Sequence, residues 1–181
     1  MLAALFDFDG TLVDTTEMIF QSMRHATSSV LGRDDFSREE LLANVGQPLP
    51  RQMEILDAEK AELLLGAYRA HHEEHHDALI GEFPGLDLVV DLFVTMEDTR
   101  EHKPHPEPLL KGLELVGNVP KDRAVYVGDS PFDVQAAKAA GLRSVAVSWG
   151  AFSEDTLREA EPDHLVSDMD AAVDVLLRDE F

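Results

Sequence analysis

The sequence has 181 residues, of which 36 are acidic and 15 basic, for a formal charge of −21 at 44% hydrophobic content. That composition can bury one real core with room for a small appended domain, and it excludes a disordered chain. The acid surplus excludes a general binder of nucleic acid or anionic membrane, since both need Lys and Arg against phosphate, and the absence of Cys excludes disulfides, a thiol nucleophile and a Cys-based zinc site.

The opening Met1 to Phe6 is too short for a signal sequence, and no apolar run approaches the roughly 18 residues of a membrane span. A soluble, cytoplasmic protein is expected, as a monomer or weak homodimer. Acid is spread along the chain, as in Glu39-Glu40 and Glu73-Glu74. A salt-adapted source is one hypothesis for that surface; stability that rises steeply towards molar KCl would support it, and salt independence would end it.

In chain order, a strand is expected over Leu2 to Phe6, followed by helix-only sequence from about 15 to 81. Thr16 to Leu31 is amphipathic and stops at Gly32. Ser37-Arg38-Glu39-Glu40 is a capping-box pattern that starts a second helix, and Ala58 to Leu79 reads as one long helix or two. Strands are then expected at Leu92 to Thr95, Ala124 to Val127, Ser144 to Val147 and, more weakly, His164 to Val166. Helices fit between and after them: from Pro106 to about Val116, from Pro131 to Ala140 with Gly141 as the stop, and from Asp168 to Arg178. The alternation specifies an α/β fold with a mainly parallel sheet. The helical block after the first strand reads as a separate cap, hinged near Val13-Asp14 and Glu82-Phe83-Pro84-Gly85.

Three motifs carry chemistry. Asp7-Phe8-Asp9-Gly10-Thr11 ends the first strand, and in a parallel sheet ligands gather beyond the carboxyl ends of strands. Asp7 can attack phosphorus as a carboxylate nucleophile, and Asp9 can serve as general acid and then base. Gly10 permits a sharp turn, so that backbone amides of the Phe8–Thr11 loop can hold phosphate oxygens. The second motif is Gly128-Asp129-Ser130-Pro131-Phe132-Asp133. Asp129 can complete an oxygen site for a hard cation with Asp7, and Asp133 can add a ligand or hold a metal-bound water. Equally, the pair can cap a helix and satisfy its dipole. The third is His102-Lys103-Pro104-His105-Pro106, where a proline-bounded lysine is placed to reach a phosphoryl group or simply sits on an exposed loop.

Taken in this order, the motifs resemble the haloacid dehalogenase (HAD) superfamily of phosphohydrolases, in particular its small pyrophosphatase and phosphoglycolate-phosphatase-like members. The likeness runs from Leu5 to about Val175. It implies a doubly wound core over residues 1–14 and 82–181, with an all-helical cap over 15–81. It further implies Asp7 as nucleophile, Asp9 as acid/base, Lys103 as phosphate-charge neutraliser, and Mg²⁺ held by Asp7, the backbone carbonyl of Asp9 and Asp129, with Asp133 in support. Dehalogenase members lack the Asp9 carboxylate, so its presence favours phosphoryl transfer. The expected partner is a small phosphorylated substrate such as phosphoglycolate, or pyrophosphate. A sugar-phosphate mutase would use the same intermediate.

One unit of that pattern is missing. The resemblance implies a helix, a second core strand ending in Ser or Thr, and another helix before Leu92. Here only Leu86 to Asp91 separates Pro84-Gly85 from Leu92, and a crossover needs at least about a dozen residues. Thr95 could imitate the absent hydroxyl, although its place matches the family's next strand. If the unit is truly deleted, a catalytically weak phosphate-binding or regulatory protein becomes an alternative.

Smaller signals remain open. Gln47 and Arg51, in Gly46-Gln47-Pro48-Leu49-Pro50-Arg51, could read the leaving group, as could Arg24 and His25. His71, His72, His75 and His76 form two i, i+4 pairs that can bind a transition metal or line a solvated helix. Lys60 sits among charges, against Schiff-base chemistry, and Trp149 is expected in the core.

Overall fold

The computed structural model describes residues 3–79, 81–82 and 92–178. The hinge at Phe83 to Gly85, the stretch Leu86 to Asp91 and Leu2 of the first strand lie outside those residues.

A four-stranded, fully parallel sheet carries the core, in the order β1 (Ala3–Phe6), β4 (Ala124–Gly128), β5 (Arg143–Val147), β6 (His164–Val166). The central strand β4 is buried along its whole length, and its side chains alternate between the two faces. Val125 and Val127 join Val145, Val147 and Val166 under Ala172 of α8 (Met169–Leu177). Ala124 and Tyr126 face the opposite way, against Leu109 and Leu113 of α5 (Glu107–Leu115) and the alanines of α6 (Pro131–Ala140). Helices therefore cover both faces, as parallel strands buried on both sides require. A short helix, α7 (Glu154–Glu159), adds Leu157 to the α6–β5 contact; it was not anticipated from sequence.

After β1 the chain first runs through four helices: α1 (Thr16–Leu31), α2 (Arg38–Leu42), α3 (Leu49–Leu56) and α4 (Ala61–Leu79). These share an apolar cluster of their own, with Met23, Leu41, Met53 and Leu64 at its centre. Their ends follow local chemistry. Gly32 closes α1 in a left-handed conformation, and Ser37 and Glu40 cap α2 reciprocally. A two-stranded antiparallel ladder, β2 (Val13–Asp14) with β3 (Gly81–Glu82), ties the entry and exit of this helical group together.

The expected strand at Leu92 to Thr95 is not formed. Leu92 and Phe93 are 47% and 64% exposed, and Thr95 instead caps a 3₁₀ turn over Met96–Asp98, its amide and hydroxyl both donating to Asp98 Oδ2. A four-residue apolar run has no intrinsic reason to extend without a ladder partner, and the Thr95-x-x-Asp98 capping pair supplies a competing local structure. Among the described residues, β1 pairs on one side only, with β4, and it is correspondingly less buried than β4. No helix among the described residues is long and apolar enough to cross a membrane.

Candidate active site

The carboxyl ends of β1 and β4 lie side by side, because Phe6 pairs with Val127 and the Asp7 amide donates to the Val127 carbonyl at 2.8 Å. This brings Asp7 and Asp129 together at the edge of the sheet, and the first turn of α6 adds Asp133. One oxygen from each of the three carboxylates lies within 4.8 Å of the others. Lys103 Nζ sits among them, 2.8 Å from Asp7 Oδ1 and 2.7 Å from Asp133 Oδ1.

Each acid is held differently. Asp133 forms a capping box with Ser130: its Oδ2 accepts from the Ser130 amide and hydroxyl, and the Asp133 amide donates back to Ser130 Oγ. Its Oδ1 takes Lys103 and the Tyr126 hydroxyl at 3.2 Å. With four donors on its two oxygens, Asp133 caps α6 and holds Lys103 at the same time. Asp129 accepts from the Ala151 amide at 3.0 Å and from Thr11 Oγ1 at 3.4 Å. Asp7 keeps one oxygen on Lys103 and is one-fifth exposed.

Packing around the acids leaves no slack. Gly10 has φ +77°, and a Cβ there would meet Asp129 Oδ2 at 2.6 Å. A Cβ at Gly128 would run into the Asp133 carboxylate, and one at Gly150 into that of Asp129. Burial pushes the Asp7 carboxyl up to about 6, with Lys103 opposing and Asp133 adding to the rise. Burial, then the repulsion of Asp133 and Asp7, pushes Asp129 up to about 7. Burial works against the Lys103 ammonium, but Asp133 and Asp7 outweigh it and hold its pKa well above the ordinary value. Three crowded carboxylates against one ammonium make a site short of positive charge, and an all-oxygen donor set suits a hard divalent cation.

Above these groups, the turn between α2 and α3 and the inner face of α4 enclose a cleft of about 480 Å³. Asp7, Phe8, Asp9, Lys103 and Asp129 line its floor. Asp9 is exposed and faces α4, where its charge is felt by Tyr68 and His72. Its side chain is not part of the acid trio.

The remaining expectations sort by position. Gln47 lines the cleft, but Arg51 does not: its guanidinium turns outward to Glu54 at 2.9 Å and is 60% exposed. The helical turn that brings Gln52 inward carries its neighbour Arg51 out. Thr11 is fully buried, with its hydroxyl on Asp129 and its carbonyl accepting from Trp149 Nε1 at 3.0 Å, so its side chain braces Asp129 and does not line the cleft. Thr95 lines the cleft with its hydroxyl engaged by Asp98. His25, His71 and His75 stack with ring centroids 4.8 and 4.2 Å apart, and Ser22 Oγ lies 3.0 Å from His71 Nδ1. Among the described residues, the acid trio is the group of three side chains placed to hold an ion, and the stacked histidines do not form another.

Several positions had not been singled out from sequence. Tyr126, Ser130, Gly150 and Ala151 each hold or confine an acid, while Gln52 and Tyr68 line the helical wall of the cleft beside His72, which the sequence had offered only as a metal ligand. The Ser130-x-x-Asp133 spacing was a legible capping signal; the wall residues carry none that a single sequence displays.

The sequence profile of the haloacid dehalogenase-like hydrolase family matches residues 4–92 and 85–147. The two matched pieces meet at 85–92, where the second core unit is expected and lacking. "Pyrophosphatase PpaX" of Bacillus mycoides (strain KBAB4) is 31% identical, over 96% of this chain and 96% of its own. That alignment spans 208 positions, more than the 181 residues here, so the relative carries residues with no counterpart in this chain. In fold, a hydrolase from Pseudomonas syringae superposes with a TM-score of 0.83 at 19% identity, covering 97% of this chain and 98% of that one. A predicted phosphoglycolate phosphatase from Haemophilus somnus 129PT superposes at 0.81 and 18% identity, covering 97% of each. With its helical insertion, parallel sheet and acid-lined strand ends, the chain belongs to the haloacid dehalogenase-like hydrolase family.

Proposed function

We propose that this hydrolase is a Mg²⁺-dependent phosphatase that moves a phosphoryl group from a small metabolite to water through Asp7. One observation carries the reading: Asp7 and Asp129, from adjacent strand ends, share the floor of a cleft with Lys103. Asp7 attacks phosphorus while Asp9, on the cap side, protonates the departing oxygen; Asp9 then takes a proton from the water that releases phosphate from the Asp7 carboxylate. Lys103, held by Asp133, offsets charge on the phosphoryl oxygens. Asp7, Asp129 and the Asp9 carbonyl would hold Mg²⁺, which when bound supplies the positive charge that the acid trio lacks. Phe8 and Gly10 shape the turn against which the phosphoryl group would rest.

Phosphoglycolate, from the family resemblance, and pyrophosphate, from the name of the Bacillus relative, are the first substrates to try. A cytoplasmic setting belongs to the same proposal, and cell fractionation tests it. The direct test is phosphate release from p-nitrophenyl phosphate: activity that needs Mg²⁺, stops with EDTA and is lost in Asp7→Asn supports the reading, and activity retained in that variant ends it. The two-piece family match favours a second reading, a phosphate-binding protein of low turnover. Calorimetric binding of phosphate with Mg²⁺ and no hydrolysis would select it.

A further inference from the structure

The cap wall of the cleft is built from Val45, Gln47, Leu49, Gln52, Tyr68 and His72, together with small apolar neighbours. Among the described residues that line the cleft, none on this wall is Lys, Arg, Asp or Glu. The guanidinium nearest in sequence, Arg51, is turned to solvent by Glu54. Lys103 on the floor already faces two carboxylates.

Two polar atoms of the wall lack partners. Gln52 is 7% exposed, its amide nitrogen donates to the Gln47 carbonyl at 2.7 Å, and its Oε1 is buried with no hydrogen bond. His72 Nδ1 is likewise buried and unpaired. Burial, followed by His76, holds the His72 ring below its ordinary pKa against an opposing pull from Asp9, so it offers a neutral imidazole. A buried acceptor left without a donor is costly in a folded protein, and a residue that lines the cleft and carries one gains from turning it to a ligand that brings a donor. By the same physics, a carboxylate or second phosphate placed against this wall gives up its water and gains no fixed cation.

We propose that Gln52, with Tyr68 and His72, selects an uncharged, hydroxyl-bearing leaving group, so that the preferred substrate is the monophosphate ester of a small polyol or sugar and not an ester with a second anionic group. This rests on the phosphohydrolase reading. In the reaction the ester P–O bond breaks, water supplies hydroxide to phosphorus, and the proton ends on the polyol oxygen, giving the alcohol and inorganic phosphate.

The test compares kcat/KM of the full chain with Mg²⁺ for sn-glycerol 3-phosphate, whose leaving group carries two uncharged hydroxyls and departs as glycerol, and for phosphoglycolate and pyrophosphate, whose leaving groups are anions. Glycerol 3-phosphate is expected to lead by at least tenfold. Gln52→Leu should cut that ratio about tenfold, and Gln52→Arg should turn it towards phosphoglycolate. A lead for phosphoglycolate or pyrophosphate in the unmodified protein, or Gln52→Leu slowing all three equally, overturns the proposal. If no ester is hydrolysed, the phosphatase reading fails separately, and the ranking is then read from calorimetric binding of the same compounds to the unmodified protein. Tighter glycerol 3-phosphate supports the assignment of the wall; tighter phosphoglycolate or pyrophosphate refutes it.

Discussion

Replacing Asp129 with Asn should stabilise the metal-free protein at alkaline pH and abolish its stabilisation by Mg²⁺. Burial, with Asp133 and Asp7 adding repulsion, raises the Asp129 carboxyl from 3.8 to about 7. A carboxyl whose folded value lies above its unfolded one imposes no penalty below about pH 4, where both states are protonated, and its full penalty above about pH 7, where both are ionised. Stability of the metal-free protein therefore falls as pH rises through that window. At about 1.4 kcal/mol per pH unit the total is about 4 kcal/mol, of which roughly 3 kcal/mol falls between pH 5 and pH 8. Asp7, raised to about 6, acts in the same direction. Because the chain carries −21 overall, general repulsion also grows with pH, so the informative quantity is the difference between the two proteins. Urea unfolding in EDTA at pH 5 and pH 8 should show the unmodified protein losing roughly 3 kcal/mol relative to Asp129→Asn. Adding Mg²⁺ at pH 8 should restore the unmodified protein and leave the variant unmoved. Parallel behaviour in EDTA, or equal stabilisation of both by Mg²⁺, would refute the claim that Asp129 belongs to a cation site.

Lys103→Met leaves Asp7 and Asp133 facing each other without their shared ammonium and should lower kcat about 10²- to 10³-fold; Lys103→Arg should not restore it, since a planar fork cannot replace a point charge placed between two carboxylates, as steady-state assays would show. Gly10→Ala combines a φ of +77° with a Cβ 2.6 Å from Asp129 Oδ2, so its Mg²⁺ activation constant should rise at least tenfold while circular dichroism stays unchanged. Ser37→Ala removes the Glu40 amide's bond to Ser37 Oγ from the α2 capping box and should cost about 1 kcal/mol in urea unfolding without altering kcat, because Ser37 does not line the cleft.

The floor of the cleft was legible because each of its parts is a local pattern: an apolar strand ending in Asp7-Phe8-Asp9-Gly10, another ending in Gly128-Asp129, and a lysine bounded by proline. Parallel pairing of Phe6 with Val127 then does the rest. Caps were legible for the same reason, as at Ser37, Gly32 and Gly141. What failed depended on partners distant in sequence. Leu92 to Thr95 has strand composition but pairs with no strand among the described residues, and the Thr95–Asp98 cap prevails. Arg51 and Gln52 are adjacent, and which of them faces the cleft is decided by how α3 rotates against α4, where Met53 is fully buried. The Thr11 hydroxyl is another such case, since its partner Asp129 lies 118 residues away.

The central claim is that Asp7 itself carries the phosphoryl group during turnover. Rapid acid quenching of the unmodified protein with Mg²⁺ and phosphorus-labelled ester, followed by peptide mass spectrometry, tests it most directly. The account predicts label on the peptide containing Asp7, chased away by unlabelled substrate and absent in Asp7→Asn. Steady turnover with no labelled Asp7, or label on another residue, would contradict it.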